Sequence, residues 1–317
     1  MASASESMVP SKEGVHPKIT VIVPTLERAS LAEAISTLQA QTLKPEKILV
    51  MKGSEDVVSK IRKGLAQTET QLVAIGDDDI VYPKQWLEAM ANVMQSSPDI
   101  GFVGGTMLPM SQIKPAGESE KLIAFVLGSF FGTSNMSQRV KMKHKVEKRD
   151  ETNLVGAGLV KTELIKKIFA AEEIIPSFHD TWMLYRINQL GFKTMYAPDA
   201  YFYHATRKNI FTFALQMLRV GSGRMGFFRH YPREAIKKPH ILVPMFFTIY
   251  IFAFLVLNWF NIAVISGIPL IAYILIDLLV TFFEKGHWKL SIYYFVMHFS
   301  YGLGELLGLI RSVRTWK

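Results

Sequence analysis

Leu72-Val73-Ala74-Ile75-Gly76-Asp77-Asp78-Asp79-Ile80-Val81-Tyr82-Pro83 is an apolar run that breaks off into three consecutive carboxylates. Four apolar residues closed by a glycine predict a buried parallel strand, which needs no polar alternation because both its faces are covered. The acids then stand at the strand's C-terminal tip, where an open α/β sheet leaves its binding crevice. Side chains two apart on extended backbone point the same way, so Asp77 and Asp79 converge on one hard divalent cation while Asp78 faces elsewhere. The competing reading is a solvated acidic turn capping the helix that begins near Lys84-Gln85-Trp86-Leu87.

Working outward, the same grammar recurs. Lys18-Ile19-Thr20-Val21-Ile22-Val23-Pro24-Thr25 is β-branched and stops at a proline, as a first strand does. Leu26-Glu27-Arg28 forms a loop at its tip, and Ser30 is placed to cap a helix from Leu31 to about Gln41. A second strand, Lys47–Met51, is followed by a turn and the helix Val57–Ala66, which leads into the acidic strand. This alternation predicts a right-handed, mostly parallel α/β sheet. Ile100–Gly105 and Leu154–Val160 read as further strands, Lys121–Ser129 as a core helix, and Arg139–Asp150 as a solvated loop. Asp180 opens a helix running to Leu190, and on its own reads as an N-cap before it reads as a functional acid. A last strand ends at His204, whose imidazole is a fair metal ligand if it falls beside the acids.

The chain of 317 residues has no cysteine, which excludes disulfides, thiolate metal sites and a cysteine nucleophile. Its net charge of +9 fits an anionic partner or the cytoplasmic side of a membrane protein, and the second account fits the apolar tail better. No nucleic-acid partner is expected. Residues 1–17 read as a disordered leader, 18–205 as the α/β domain, and 206–240 as an amphipathic interfacial helix with a basic linker. In 241–317, apolar helices at about 241–260, 262–283 and 290–310 are expected, the first two in the membrane and the third either spanning it or lying partly in its interface, with the α/β domain on the cytoplasmic face of the cell membrane.

Taken together, these pieces resemble a family 2 glycosyltransferase of the GT-A fold over about residues 18–240. The matching motifs, in order, are Val21-Ile22-Val23-Pro24-Thr25, Asp77-Asp78-Asp79, Gly156-Ala157-Gly158, His179-Asp180 and Gln216-Met217-Leu218-Arg219. Phe130-Phe131-Gly132-Thr133-Ser134-Asn135 and Arg219–Arg224 look most like the succinoglycan-type, exopolysaccharide-building members. The resemblance implies inverting transfer of a sugar from a nucleotide-diphosphate donor, with Mg²⁺ or Mn²⁺ on Asp79 assisted by Asp77, and with His204 as a further ligand. Asp180 would be the general base toward an acceptor hydroxyl. Pro24, Thr25, Glu27, Lys52, Asp77, Asp78, Gln216, Arg219 and Arg224 would line the donor, and Gly156, Ala157, Gly158, His179 and Trp182 the acceptor.

Three departures from the family pattern stand out. Met51 and Lys52 occupy positions where the family usually carries paired acids, His179 replaces the usual Glu, and Val220 replaces a tryptophan of processive synthases. The acceptor expected is a lipid-linked saccharide. Its rival is a polyprenyl phosphate, an anionic nucleophile that needs no base. A catalytically silent membrane scaffold is the reading of another class, and a transporter built on Asp277, His298 and Glu305 is weaker still.

Overall fold

The computed structural model describes residues 17–133, 146–148, 156–171, 179–230, 239–260, 267–283 and 287–310. The expected leader, most of the Arg139–Asp150 loop and most of the basic linker lie outside these residues. Within them, β1 (Ile19–Pro24), β2 (Lys47–Met51) and β3 (Leu72–Ile75) are joined through α1 (Leu31–Gln39) and α2 (Val57–Ala66). Both flanking strands pair with β1 in parallel. All six residues of β1 and all four of β3 are buried, as continuous apolar runs require. Alternate residues serve opposite faces: Val21, Val23 and Ala74 pack into one core, Ile22, Val73 and Ile75 into the other.

The remaining elements of the α/β part are β4 (Ile80–Val81), α3 (Trp86–Gln95), β5 (Ile100–Gly104), β6 (Met107–Pro109), α4 (Glu118–Gly128), α5 (Phe130–Thr133), β7 (Glu147–Lys148), β8 (Gly158–Lys161), α6 (Thr162–Ala171), α7 (His179–Gln189), β9 (Lys193–Tyr196) and β10 (Phe202–His204). The main sheet has the order β2-β1-β3-β8-β5-β9-β7. β8 runs antiparallel to both of its neighbours and β7 antiparallel to β9, so five of the seven strands point one way. Glu147–Lys148, expected within a loop, instead forms that edge strand. A second small sheet, β4-β10-β6, lies at the tip, and it carries His204 back to the acidic turn.

Helix caps follow the local chemistry. Asp56 caps α2 by accepting from Val58 N at 2.9 Å and Ser59 N at 3.1 Å. Ser30 does not cap α1 with its side chain: its own backbone is already helical (φ −72°, ψ −16°), which turns the hydroxyl away from the amides it would need to reach.

The C-terminal part comprises α8 (Ile210–His230), α9 (Pro239–Trp259), α10 (Ile268–Phe283) and α11 (Leu290–Ile310). α8 and α11 touch backbone to backbone. A Cβ on Gly221 would come within 2.1 Å of the Tyr301 carbonyl oxygen, one on Gly304 within 2.1 Å of that of Leu218, and one on Gly308 within 2.7 Å of that of Ser222. α8 was expected to lay Phe211, Leu215, Leu218 and Phe227 on an apolar interface. Phe211 and Leu215 are indeed exposed, while Phe213, Met217 and Met225 form the buried face against α4 and α11. Lys289 Nζ pairs with Glu118 at 2.8 Å and Tyr293 Oη donates to Ser119 Oγ at 2.8 Å, so the start of α11 is tied to α4.

Among the described residues, no helix is long and apolar enough to cross a membrane. α10 has 16 residues, about 24 Å of helix against a hydrocarbon thickness of roughly 30 Å, while α11 is interrupted by His298 and Glu305. The junction between the first two apolar segments falls outside the described residues, within which α10 runs from Ile268 to Phe283. Large apolar side chains are nonetheless exposed along both helices, among them Phe246, Leu255 and Trp259 on α9 and Ile271, Leu275 and Phe282 on α10. Polar groups in these segments are buried, among them Thr248, Asp277, Thr281 and Glu305. His298 Nε2 donates to the Phe131 carbonyl at 3.0 Å, since that oxygen only accepts, leaving Nδ1 to accept from Tyr273 Oη at 2.9 Å.

Candidate active site

The site forms where β1 and β3, adjacent and parallel, end side by side. The β3 tip is braced by Tyr82, whose hydroxyl accepts from Asp77 N at 2.8 Å and donates to the Asp77 carbonyl at 3.1 Å. That clasp fixes the peptide on which the acids alternate. Asp77 and Asp79 fall on one side with His204, and one ligand atom from each lies within 4.8 Å of the others. His204 arrives through β10, which pairs with β4 just beyond the acids. Gly105 makes that approach possible: a Cβ there would sit 1.7 Å from the Ala200 carbonyl oxygen, so any side chain would push away the segment leading into β10.

Asp78 points the other way and is 1% exposed. Its Oδ2 accepts from Thr25 Oγ1 at 2.7 Å and Leu26 N at 2.9 Å, and its Oδ1 accepts from the Arg28 guanidinium. Thr25 Oγ1 also accepts from Glu27 N at 2.7 Å, and Lys60 Nζ donates to the Thr25 carbonyl at 2.7 Å. The loop after β1 is thereby anchored on one buried carboxylate. Glu27 takes the left-handed conformation (φ 56°) within it, which costs a non-glycine residue of order 1–3 kcal/mol. Its carboxylate pairs with Lys52 at 2.8 Å, both groups exposed.

The donor set fits a hard divalent cation. Asp79 Oδ1 is buried and has no aligned hydrogen-bond donor, although His204 Nε2 lies 3.1 Å away, while Oδ2 accepts from Arg28 at 3.0 Å. Two carboxylates and an imidazole suit Mg²⁺ or Mn²⁺ in ligand type. Electrostatics separate the two acids. Burial pushes Asp77 up, and the negative charge of Asp79 adds to it. Burial also works to raise Asp79, but His204, Arg28 and Arg207 more than offset this and hold it below the usual carboxylate range.

The other expected site residues divide. Gln216 on α8 lines a shallow crevice together with His204, Thr206, Met107, Pro109 and Leu127, and Arg219, three residues on, is exposed. Pro24 is buried at the end of β1. Asp180 lies in the first turn of α7, where its Oδ1 accepts only from its neighbour Thr181 N, at 2.8 Å, among the bonds described. His179 beside it holds a buried Nδ1 with no partner among the described residues. Gly156 has a left-handed backbone (φ 62°) with open space around it, whereas Ala157 is 3% exposed and a Cβ on Gly158 would meet the Phe102 ring at 2.2 Å. Ala157 and Gly158 are thus packing positions.

Two expectations are corrected. Trp182 is 1% exposed and packs edge-to-face on Phe169 at 5.5 Å, so it is core and not an acceptor platform. Its place on the inner face of α7, with Met183 and Tyr185 packed into the same core, accounts for this. Arg224, expected at the phosphates, is 7% exposed within the α8–α11 interface beside Tyr301 and Glu305. Helical periodicity turns it from the face that carries Gln216 and Arg219 toward α11. Asp78, expected at the donor, instead turns its carboxylate to the loop after β1. Sequence reasoning left Arg28, Tyr82 and Arg207 without roles. The available signal was position: Arg28 follows the tip of a strand adjacent to the acidic one.

Residues 13–223 match the glycosyltransferase-like family 2 pattern, two thirds of the chain. One relative, the glucosyl-dolichyl phosphate glucuronosyltransferase of Haloferax volcanii, is 26% identical over 121 residues, covering 29% of this chain and 39% of the relative. The match thus spans about two fifths of that relative's length. The solved mannosyltransferase PcManGT of Pyrobaculum calidifontis, in complex with GDP-mannose and Mn²⁺, superposes with a TM-score of 0.57 over 93% of this chain and 88% of its own, at 14% identity. That likeness shows the fold, an α/β GT-A-like arrangement. The chain belongs to the glycosyltransferase-like family 2.

Proposed function

We propose that this enzyme moves a sugar, with inversion, from a nucleotide-diphosphate donor to a hydroxyl of a lipid-linked saccharide, at the cytoplasmic face of a membrane. The observation that carries the reading is the convergence of Asp77, Asp79 and His204 at the C-terminal ends of parallel strands. These three residues would hold Mg²⁺ or Mn²⁺, which when bound neutralises charge on a leaving diphosphate. Gln216 shares the crevice with His204, and Arg219 on the same helical face is exposed to grip phosphate oxygens. Glu27 and Lys52, paired at the ends of β1 and β2, would contact the nucleotide of the donor. Asp180 takes the proton from the acceptor hydroxyl as it attacks the anomeric carbon, a role worth about 10²–10⁴-fold.

The lipid-linked acceptor draws support from the relative named for a glucosyl-dolichyl phosphate, and from the apolar side chains exposed on α9 and α10. Those helices would sit in the bilayer, with the α/β part held against the cytoplasmic surface. Within the family, Phe130–Gly132 and Arg219–Arg224 favour a succinoglycan-type role in building cell-surface glycans.

The test is turnover of a nucleotide-sugar panel by purified protein with Mn²⁺, Mg²⁺ or chelator, comparing wild type, Asp79→Ala and Asp180→Asn. Metal-dependent turnover of one donor, lost in both variants, supports the reading. Transfer to polyprenyl phosphate that survives Asp180→Asn would replace it with a polyprenyl-phosphate sugar synthase. A protein that binds no nucleotide even with lipid extract added would be a silent scaffold.

A further inference from the structure

We propose that Arg28 is the resident counter-cation of the acidic triad, and that it makes the divalent cation and the donor's diphosphate bind cooperatively. This rests on the transferase reading for the identity of the anion, but its geometry stands without it. Three consecutive carboxylates meet at the β3 tip, and the Arg28 guanidinium bridges two of them, touching Asp78 Oδ1 and lying 3.0 Å from Asp79 Oδ2. The acids are buried and the arginine reaches solvent: the side chains of Asp78 and Asp79 are 1% and 12% exposed, that of Arg28 39%. Asp79 is shared, with Oδ2 given to Arg28 and Oδ1 turned toward His204. A cation seated among Asp77, Asp79 and His204 therefore meets a guanidinium bonded to one of its own ligands.

Like charges at that range oppose each other. A cation arriving alone must share Asp79 with Arg28. A diphosphate changes this, because a guanidinium fork matches phosphate oxygens as well as carboxylate ones, and Arg28 has an exposed route to them. Once Arg28 turns to the diphosphate, Asp79 belongs to the cation. Each ligand thus improves the site for the other, and the coupling is reciprocal.

The experiment measures Mn²⁺ affinity of the full chain by electron paramagnetic resonance of the free ion, with and without saturating UDP or GDP. Wild type, Arg28→Gln and Arg28→Lys are compared. In wild type, nucleotide should tighten Mn²⁺ about tenfold or more, within the usual span of such couplings. Arg28→Gln should bind Mn²⁺ alone about fivefold more tightly than wild type, with nucleotide then adding no more than about twofold. Arg28→Lys, which keeps the charge without the fork, should retain weak Mn²⁺ binding and lose most of the coupling. Arg28→Gln with unchanged or weaker Mn²⁺ binding would overturn the proposal if its melting curve matches wild type. If it does not fold, Arg28→Lys with wild-type coupling would overturn it.

The two readings fail differently. Nucleotide sugars that turn over while Arg28→Gln leaves Mn²⁺ affinity unchanged would leave the transferase and remove the counter-cation. Tighter Mn²⁺ in Arg28→Gln, with neither nucleotide bound by any protein, would keep the counter-cation and remove the donor.

Discussion

Substituting Asp78→Asn leaves shape and volume almost unchanged but removes the charge on which the β1 loop is anchored. The buried carboxylate accepts from Thr25 Oγ1, Leu26 N and Arg28. An amide offers one oxygen and one NH₂, so a donor must now face the guanidinium or the Leu26 amide. The lost charge-assisted bond alone is worth roughly 1.5–3 kcal/mol, and the mismatched donor adds to it. For a chain of this size, a loss of about 2 kcal/mol lowers the melting temperature by roughly 3 °C. Since Glu27 and Arg28 sit on that loop, the donor KM should rise several-fold while Mn²⁺ binding without nucleotide changes less. Thermal denaturation and initial-rate kinetics of the variant read both effects. A variant that melts within about 1 °C of wild type with an unchanged donor KM would refute the view that Asp78 anchors the loop.

Gly105→Ala should displace the segment preceding β10, because its methyl would sit 1.7 Å from the Ala200 carbonyl oxygen; calorimetric titration should then find Mn²⁺ binding sharply weakened in whatever folded fraction is recovered. Trp182→Ala should cost about 3–5 kcal/mol of stability as a core cavity, read by urea denaturation, with acceptor KM unchanged in the folded protein. In metal-free protein the two acids oppose each other in their response to pH. Burial raises Asp77, so its contribution is present at low pH and is lost as pH rises through its folded value. Asp79 lies low despite burial because of His204, Arg28 and Arg207, so its contribution is present above the unfolded carboxylate range and is lost as pH falls through its folded value. Mn²⁺ affinity should therefore weaken first where Asp77 protonates on acidification. Asp77→Asn should erase that first step in a pH titration of binding.

Much of the α/β part was legible because burial on both faces leaves an unmistakable mark: β1 and β3 are apolar without alternation. The Asp77/Asp79 pairing followed from the two-residue period of extended backbone, and His204 from its place at the end of a strand. Antiparallel β8 was not legible, since Leu154–Val160 reads as a strand of either direction. Trp182 and Arg224 misled for a common reason. A motif gives their spacing to a known chemistry, but the helix that carries each one presents it to a packed neighbour. Arg28 was missed because its role depends on which strand lies beside β1, a property of the sheet order rather than of nearby sequence. In the C-terminal helices, hydropathy marks segments far more clearly than their ends.

The glycine contacts between α8 and α11 carry a consequence for how the enzyme can vary. Where side chains interlock, two helices drift apart or together as residues change size, and families slide along that freedom. Here carbonyl oxygens of Leu218, Ser222 and Tyr301 occupy the space where methyl groups would stand, so separation is set by main-chain atoms. The pair has a single stopping distance and no slack. Gln216 rides on α8 one turn ahead of this junction and forms a wall of the crevice beside His204. The width of that crevice is therefore gauged by the tail of the chain, and mutation of α11 far from any carboxylate would be felt as a change in the aperture.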